Sequence, residues 1–387
     1  MSDIAVVGGG IVGASAALAA AKAGASVTLI DAGYSGQATA AGAGVVSPMS
    51  AQPRTDEWYE LAFAGAESYA QLVDDVFAGA PPASAFRVVG SLIVGGDEDI
   101  DHLDEIAARY ERLRAGFGTA CLGELNRLDL GEPSDLFPGL SAGLRGLHLT
   151  GVVRIDGEEL TRHITQAAVA RGVQVCTGTG QLIVTGTRVG GVRVGGQRIE
   201  ADAVVLASGA WAVESTPQTK ATGLPVTPQR GQIAHLQTRL GRGDVPIVAS
   251  LRSRYMVAFP EDRLIVGATV ENDSGFDTSV TVGGVSEVLG EALRLVPDLH
   301  SARLVEVRTG FRPVTPDGLP LIGPHPNLEH LILAAGLGSN GLLLGPHLGA
   351  CAAVVALGDK PASDLGIVSP ERHAINQVES DRSMSNV

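Results

Sequence analysis

The sequence predicts an α/β fold: a parallel, helix-covered sheet of the Rossmann-like kind, joined to a second, α+β part built on an antiparallel sheet. Three observations lead there. The chain opens with a buried strand, a glycine-rich turn, a helix and a second buried strand. A later apolar run, Ala203 to Leu206, again ends in small residues, Ala207-Ser208-Gly209-Ala210, before Trp211. Elsewhere, apolar and polar residues alternate in short runs separated by turn formers, as antiparallel strands do.

The opening element is the most informative. Ile4-Ala5-Val6-Val7 reads as a buried strand, and Gly8, Gly10 and Gly13 follow it directly as G-x-G-x-x-G. Gly8 allows the tight turn, Gly10 lets backbone approach a pyrophosphate, and Gly13 lets helix and strand pack closely. An Ala-rich helix over 14–23 is stopped by Gly24, and Val27 to Ile30 forms a second strand ending at Asp31. A phosphate would sit on the helix N-terminus, where free N–H groups and the helix dipole favour an anion. A carboxylate about 20 residues beyond the glycines accepts a ribose hydroxyl. The expected contacts of a bound dinucleotide are therefore Gly8, Gly10, Ile11, Val12, Gly13, Asp31 and Ala32.

Composition limits the partners. The 387 residues can bury a large core and suit two domains. A net charge of −14 argues against nucleic acid or an anionic membrane surface, since either needs a basic footprint. Cys121, Cys176 and Cys351 are far apart and form no C-x-x-C, which fits a reducing compartment and gives no metal site. The N-terminal residues carry Asp3 and no basic stretch, so a cytoplasmic location is expected. Leu331 to Gly358 lacks any charged residue and is long enough to cross a bilayer. It is broken by glycines and Pro346 and contains His347, so a strand, a glycine loop and a buried helix are expected instead of an integral membrane segment.

After Asp31 the run from Ser35 to Pro48 has almost no bulk, which suits backbone lying flush against a flat ligand; Thr39, Ala40, Ala41, Gly42, Ala43 and Gly44 are its expected contacts. Helical spacing runs from Thr55 to Phe77, strand character from Arg87 to Val94, and an amphipathic helix from Asp99 to Arg114. Asn126 to Leu140 reads as a loop, Leu144 to Val153 as a strand, and Glu158 to Arg171 as a helix. Residues 182–184, 191–194 and 198–200 form a meander leading into Ala203 to Trp211. Tyr255 to Phe259 and Leu264 to Thr269 read as a hairpin, Ser286 to Leu295 as a helix, and Gly310 to Pro324 as turn-rich chain. The expected organisation is a discontinuous nucleotide domain (1–84, 146–221 and 309–368), a second domain (85–145 and 222–308), and a disordered tail over 369–387.

Three separated segments together resemble the D-amino-acid oxidase family of flavoproteins, within it the glycine-oxidase type. They are the opening fingerprint with its small-residue run, the strand Val204 to Trp211, and the block G-F-R-P-V-T-P-D-G-L-P-L-I-G-P followed by L-I-L-A-A-G-L-G-S-N-G-L-L-L-G-P, which spans 310–346. Arg254-Tyr255 and Gly267-Ala268-Thr269 match an aromatic substrate-site strand and its return. The resemblance implies FAD as cofactor and hydride removal from the carbon bearing an amine, leaving an imine that water hydrolyses. It implies that Arg312 clamps the substrate carboxylate and that Tyr255 is an active-site tyrosine. It extends the expected cofactor contacts to Gln181, Ser208, Gly209, Trp211, Gly310, Arg312, Gly338, Ser339, Asn340, Gly341 and Leu342, although Trp211 reads more as packing than chemistry.

The residues agree with those roles. Arginine forks onto a carboxylate with two parallel hydrogen bonds and stays charged at any working pH. Departures bear on substrate and acceptor: Leu337 stands where many relatives have His, and Ser253 lies two positions before the tyrosine. No cysteine is placed for a covalent flavin link, and no lysine falls in the strand pair 255–269. The expected activity is oxidation of the amine of a small amino acid (glycine, sarcosine or a D-amino acid), with oxygen as acceptor. The alternatives are a dehydrogenase passing electrons to a quinone, a biosynthetic tailoring enzyme, and a flavin-binding assembly subunit. The last has no need of a carboxylate clamp. A homo-oligomer is compatible with the sequence, which leaves the oligomeric state open.

Overall fold

The computed structural model describes residues 2–49, 54–118, 120–214, 224–240, 244–252 and 254–373. Two large sheets face one another across a cavity. The first has six strands in the order Leu321–Pro324, Leu331–Ala335, Ala203–Leu206, Asp3–Val7, Ser26–Asp31 and Gln174–Thr177. All its neighbours are parallel except the outermost pair, Leu321–Pro324 with Leu331–Ala335. Strands covered on both faces read as continuous apolar runs, which is why Ile4 to Val7, Ala203 to Leu206 and Leu331 to Ala335 contain no polar residue.

Helices Ile11–Lys22, Gly157–Val169 and Gly341–Ala356 pack on one face of this sheet. The first and last of these meet backbone to backbone. A methyl group on Gly349 would lie 2.3 Å from the Val12 carbonyl oxygen. The glycines of the uncharged stretch 331–358 are therefore contact points in a buried helix pair, with Leu344, Leu348, Ala352 and Ala353 in the core. That stretch is the strand, loop and buried helix expected of it.

The second sheet has eight strands: Arg303–Val314, Thr227–Gln237, Arg263–Gly267, Tyr255–Phe259, Ile247–Ser250, Ser91–Gly95, Arg145–Leu149 and Leu125–Leu128. It is antiparallel except where Ile247–Ser250 runs parallel to Ser91–Gly95. Helix Val282–Leu295 packs on one face, burying Val288, Ala292 and Leu295 beside Ala234, Leu236 and Met256. The meander expected near 182–200 is present as Gln181–Thr185, Arg188–Val194 and Gln197–Glu200.

Several expectations are corrected. Gly310 to Val314 belongs to the twelve-residue strand Arg303–Val314 and is not turn-rich loop. Pro313 stands opposite Pro228, and the strand is the sheet's outermost, where proline is tolerated. The stretch 126–140 holds the strand Leu125–Leu128 and a single helical turn, Pro133–Leu136. Leu144 to Val153 is two strands in different sheets, Arg145–Leu149 and Val153–Ile155. Arg87 to Val94 is likewise split, Phe86–Val88 from Ser91–Gly95. Expected domain limits at 146 and 309 therefore fall inside strands of the large sheet. Within the expected tail, Arg372 is anchored on Asp317 at 2.8 Å and on the Leu319 carbonyl at 2.8 Å. Burial would raise the Asp317 carboxyl, but Arg372, the Leu319 amide and Thr315 together more than offset it and the group falls to about 2. Residues 374–387 lie outside the described ones.

The Gly349 contact yields a paired test. Gly349→Ala should destabilise by about 1–3 kcal/mol through overpacking against Val12. Gly290→Ala, exposed in helix Val282–Leu295 with open space beside it, should stabilise by roughly 0.5–1 kcal/mol. Calorimetry on the two variants checks both signs.

A second prediction concerns His235, buried at 3% exposure in Thr227–Gln237. Burial holds its imidazole down at about 4, with the Arg308 charge adding to the effect and Glu306 opposing it. The unfolded chain binds this proton below about 6.5 and the folded chain only near 4, so its stabilising contribution is lost as pH falls through that interval. Denaturant titrations should show a loss on the order of 1–3 kcal/mol between those limits, flattened in His235→Gln.

Candidate active site

A cavity of about 560 Å³ opens between the C-terminal ends of the parallel strands and the inner face of the large sheet. This is where open α/β sheets bind ligands. Its first wall is the glycine turn. Gly8 has φ +110°, and a Cβ there would lie 2.3 Å from the Ala207 carbonyl oxygen. A Cβ on Gly13 would lie 1.9 Å from the Gly8 carbonyl oxygen. The turn is thus held tightly against the neighbouring strand end and its own helix. Gly10 caps helix Ile11–Lys22 without a side chain, and no acidic residue occupies the first turn. Gly10, Ile11 and Val12 line the cavity, so the helix start and its dipole favour an anion there.

Asp31 closes the second strand beside that turn and accepts two hydrogen bonds from Gln37 Nε2, at 3.1 and 3.2 Å. Thr39 Oγ1 accepts from the Ile11 amide at 3.2 Å, tying the small-residue run to the helix start. The run is also fixed to the large sheet, because the Phe311 amide donates to the Gly36 carbonyl at 2.9 Å. Ala32, Thr39, Ala41, Gly42, Ala43 and Gly44 line the cavity, as do Ser208, Gly209, Trp211 and Gly310. At its far end the strand Leu331–Ala335 runs through Leu337 into Gly338, Ser339, Gly341 and Leu342, all on the cavity wall. The Leu342 carbonyl accepts from the buried Tyr69 hydroxyl, which fixes the start of helix Gly341–Ala356.

Four expected contact residues do not line the cavity. Gly13 lies behind the turn as a packing contact, and the Ala40 carbonyl faces Arg308 at 3.3 Å. Asn340 caps helix Gly341–Ala356 from outside the cavity wall. Gln181 is exposed at the start of its strand, and the residues before it, Gly178, Thr179 and Gly180, line the cavity in its place. Trp211 is a packing centre as well as wall: it stacks on Tyr34 at 5.1 Å and on Phe276 at 4.9 Å, with Phe311 edge-on at 6.0 Å.

Strands of the large sheet supply the other wall. Arg312 and Tyr255 both reach the cavity, near enough for the Arg312 charge to act on the Tyr255 hydroxyl. Arg312 also donates to the Thr269 carbonyl at 3.1 Å. Two glycines make the room: a Cβ on Gly231 would lie 2.7 Å from both Arg312 Nη atoms, and one on Gly267 would lie 2.9 Å from the Tyr255 hydroxyl. Burial pushes the Tyr255 phenol above its ordinary value, with Arg312 and Arg254 pulling the other way, so it stays a neutral O–H donor. Behind them Arg230 is committed to Glu271 at 2.6 Å and Asp277 at 2.8 Å. Glu271 in turn accepts from Thr269 Oγ1 at 2.6 Å and from Gln232 Nε2 at 2.7 Å. That network fixes the residue whose carbonyl holds Arg312.

The sequence reading missed the contribution of helix Ile100–Phe117. His102, Ile106 and Arg109 line the cavity from it. Their spacing of four and three puts them on one helical face, a signal present in the sequence. Among the described residues no cluster of His, Cys, Asp and Glu could hold a metal ion.

A model of the FAD dependent oxidoreductase family matches residues 3–354. The chain belongs to this family. It is an FAD-dependent oxidoreductase of the amino-acid and amine oxidase type, and the mixed α/β architecture is that of its relatives. It is 38% identical over 374 residues to an uncharacterized oxidoreductase, YurR, of Bacillus subtilis, covering 96% of this chain and 99% of that protein. Glycine oxidase of Geobacillus kaustophilus is 30% identical over 380 residues, 96% of this chain and 97% of the other. Iminodiacetate oxidase of Chelativorans sp. BNC1 superposes with a TM-score of 0.88 at 35% identity, covering 95% of this chain and 98% of that one.

The cavity's features fit FAD: an anion-ready helix start without a capping side chain, a carboxylate beside it, and a long wall of small residues. Asp31→Ala should therefore weaken FAD binding by roughly tenfold to a hundredfold, the cost of about 1.5–3 kcal/mol for losing a charged acceptor. Titration of the apoprotein with FAD measures it; unchanged affinity would leave Asp31 only its bonds to Gln37.

Proposed function

We propose that this enzyme oxidises the CH–NH group of a small amino acid or N-substituted amino acid, with oxygen as acceptor, giving an oxo acid after hydrolysis of the imine. The observation that carries this reading is the Arg312–Tyr255 pair on the cavity wall contributed by the large sheet. The activities named for its relatives, glycine oxidase and iminodiacetate oxidase, support a substrate of this kind. When bound, FAD supplies the acceptor for the hydride leaving the carbon next to nitrogen.

The chain's own residues do the placing. Arg312 has one amino group on the Thr269 carbonyl, which sets the plane of its fork toward the cavity. A carboxylate held there gains two charge-assisted hydrogen bonds and a fixed orientation. The neutral Tyr255 hydroxyl is available to donate to the same carboxylate. Holding one end of a small substrate fixes the other, and much of the rate advantage of such reactions comes from this positioning.

Arg312→Leu should lower kcat/KM for amino-acid oxidation by two orders of magnitude or more, which corresponds to about 2–5 kcal/mol for truncating one side of a buried charge pair. FAD content and Tm should barely move. Peroxide release and anaerobic bleaching of the flavin, each measured over a panel of amino acids and amines, read the result. Equal rates in both proteins would remove Arg312 as the clamp. Bleaching by an amino acid without peroxide release in air would point to a different acceptor.

A further inference from the structure

At the glycine-turn end of the cavity, Tyr34 and Thr179 are wall residues exposed to solvent. Their hydroxyls hydrogen-bond each other at 2.9 Å. The Gly178 amide donates to the Asp31 carbonyl at 2.8 Å, which places this opening beside Asp31. An aromatic stack starts from the same place. Tyr34 and Trp211 lie 5.1 Å apart at 26°, and Trp211 and Phe276 lie 4.9 Å apart at 17°. Phe311, the neighbour of Arg312, stands edge-on to Trp211 at 6.0 Å and to Phe276 at 5.4 Å. The stack therefore runs along the cavity from the Asp31 end toward the strand that carries Arg312.

The stacked rings come from different parts of the fold. Tyr34 follows strand Ser26–Asp31 and Trp211 follows Ala203–Leu206, both in the six-stranded sheet. Phe276 lies in the connection 268–281, between strand Arg263–Gly267 of the eight-stranded sheet and helix Val282–Leu295. The Trp211–Phe276 contact thus joins one sheet to the other at the edge of the cavity between them. None of these rings is deep core: Tyr34 is exposed, and Trp211 and Phe276 are half-buried. Phe276 sits on a turn closed by the Asp277 amide on the Ser274 carbonyl at 3.3 Å. Arg230 holds that turn, donating to the Asp277 carboxylate at 2.8 Å and to its carbonyl at 3.1 Å. Phe276 is not itself on the cavity wall and meets it through Trp211.

We infer that Tyr34, Trp211 and Phe276 form a gate for FAD, closed by the Trp211–Phe276 stack and held shut by the Arg230–Asp277 ion pair. FAD passes this opening when the two rings part. Stacked aromatic pairs attract beyond the area they bury, so parting them sets a barrier. Half-buried rings on a surface turn part without disturbing the core, as the hinged loops of gated sites do. The gate acts on rates. Phe276 reaches Trp211 and not the cofactor wall, so loosening it speeds entry and exit alike. Affinity stays with the glycine turn, Asp31 and the small-residue wall. The gate serves the cofactor whichever amine the enzyme oxidises and whichever acceptor it uses.

The test follows FAD itself. Holoenzyme loaded with radiolabelled FAD is chased with excess unlabelled FAD, and the label still bound is read over time. Phe276→Ala should release FAD about tenfold faster than the wild type. Stopped-flow mixing of FAD with the apoprotein should show association faster by a similar factor, so that Kd moves by less than about threefold. Phe276→Tyr keeps a stacking ring and should match the wild type in both rates. Asp277→Ala leaves every ring in place but frees the turn, and should speed both steps by roughly threefold. Should Phe276→Ala fail to fold, Phe276→Leu keeps the apolar bulk without a stacking face and carries the same comparison with Asp277→Ala. If neither rate moves in these variants, the rings are packing and the inference is overturned. Faster release with unchanged association also overturns it, because Phe276 then adds affinity and gates nothing.

Discussion

The cofactor end of this protein depends on backbone approaching backbone more closely than a Cβ allows. Gly8 lies against Ala207, Gly13 against Gly8, and Gly349 against Val12. The first two hold the turn down so that the helix start faces the cavity, and the third locks that helix to Gly341–Ala356. The same helix pair therefore presents both ends of the cofactor wall, Gly10–Val12 at one and Gly341–Leu342 at the other. One steric constraint, met with glycine at a few positions, sets the distance between them.

The substrate end is built on the same principle with different partners. Gly231 and Gly267 make space for the Arg312 fork and the Tyr255 ring on adjoining strands. The space is then stiffened by a buried polar network, Arg230–Glu271–Thr269–Gln232, which has no place on the cavity wall. Such fully hydrogen-bonded networks rigidify what they touch, because each member left unpaired would be costly. The Arg312 charge on the cavity wall is thus positioned by charges that do not reach the cavity.

Local signals made much of this legible in the sequence. The fingerprint, the acid at Asp31, the small-residue run and the uncharged C-terminal helix each announce themselves within a few residues. What escaped was decided by partners far away in the chain. Gly310 to Val314 looks like loop because it holds Gly310 and Pro313 and runs straight into Thr315, Pro316 and Gly318, and only its place in the edge strand Arg303–Val314 makes Pro313 acceptable. Leu144 to Val153 looks like one strand because nothing local says that its two halves join different sheets. Helix Ile100–Phe117 looks like an ordinary amphipathic surface helix, since the cavity reached by His102 and Arg109 exists only once the strands beside it are assembled. Gln181 is exposed and the cavity is lined just before it by Gly178 to Gly180, which carry no motif of their own.

The order of strands in the six-stranded sheet has a bearing on biosynthesis. Its centre, Asp3–Val7 beside Ser26–Asp31, leaves the ribosome first, while Ala203–Leu206 and Leu331–Ala335 follow hundreds of residues later. Until those later segments are made, the nucleotide turn lacks the Ala207 backbone that presses on Gly8 and the helix that carries Gly349. Contacts of such long sequence separation form slowly and leave strand edges exposed while they wait. A growing chain of this topology carries its binding motif from the start, yet holds a complete cofactor cradle only when synthesis has passed Leu342.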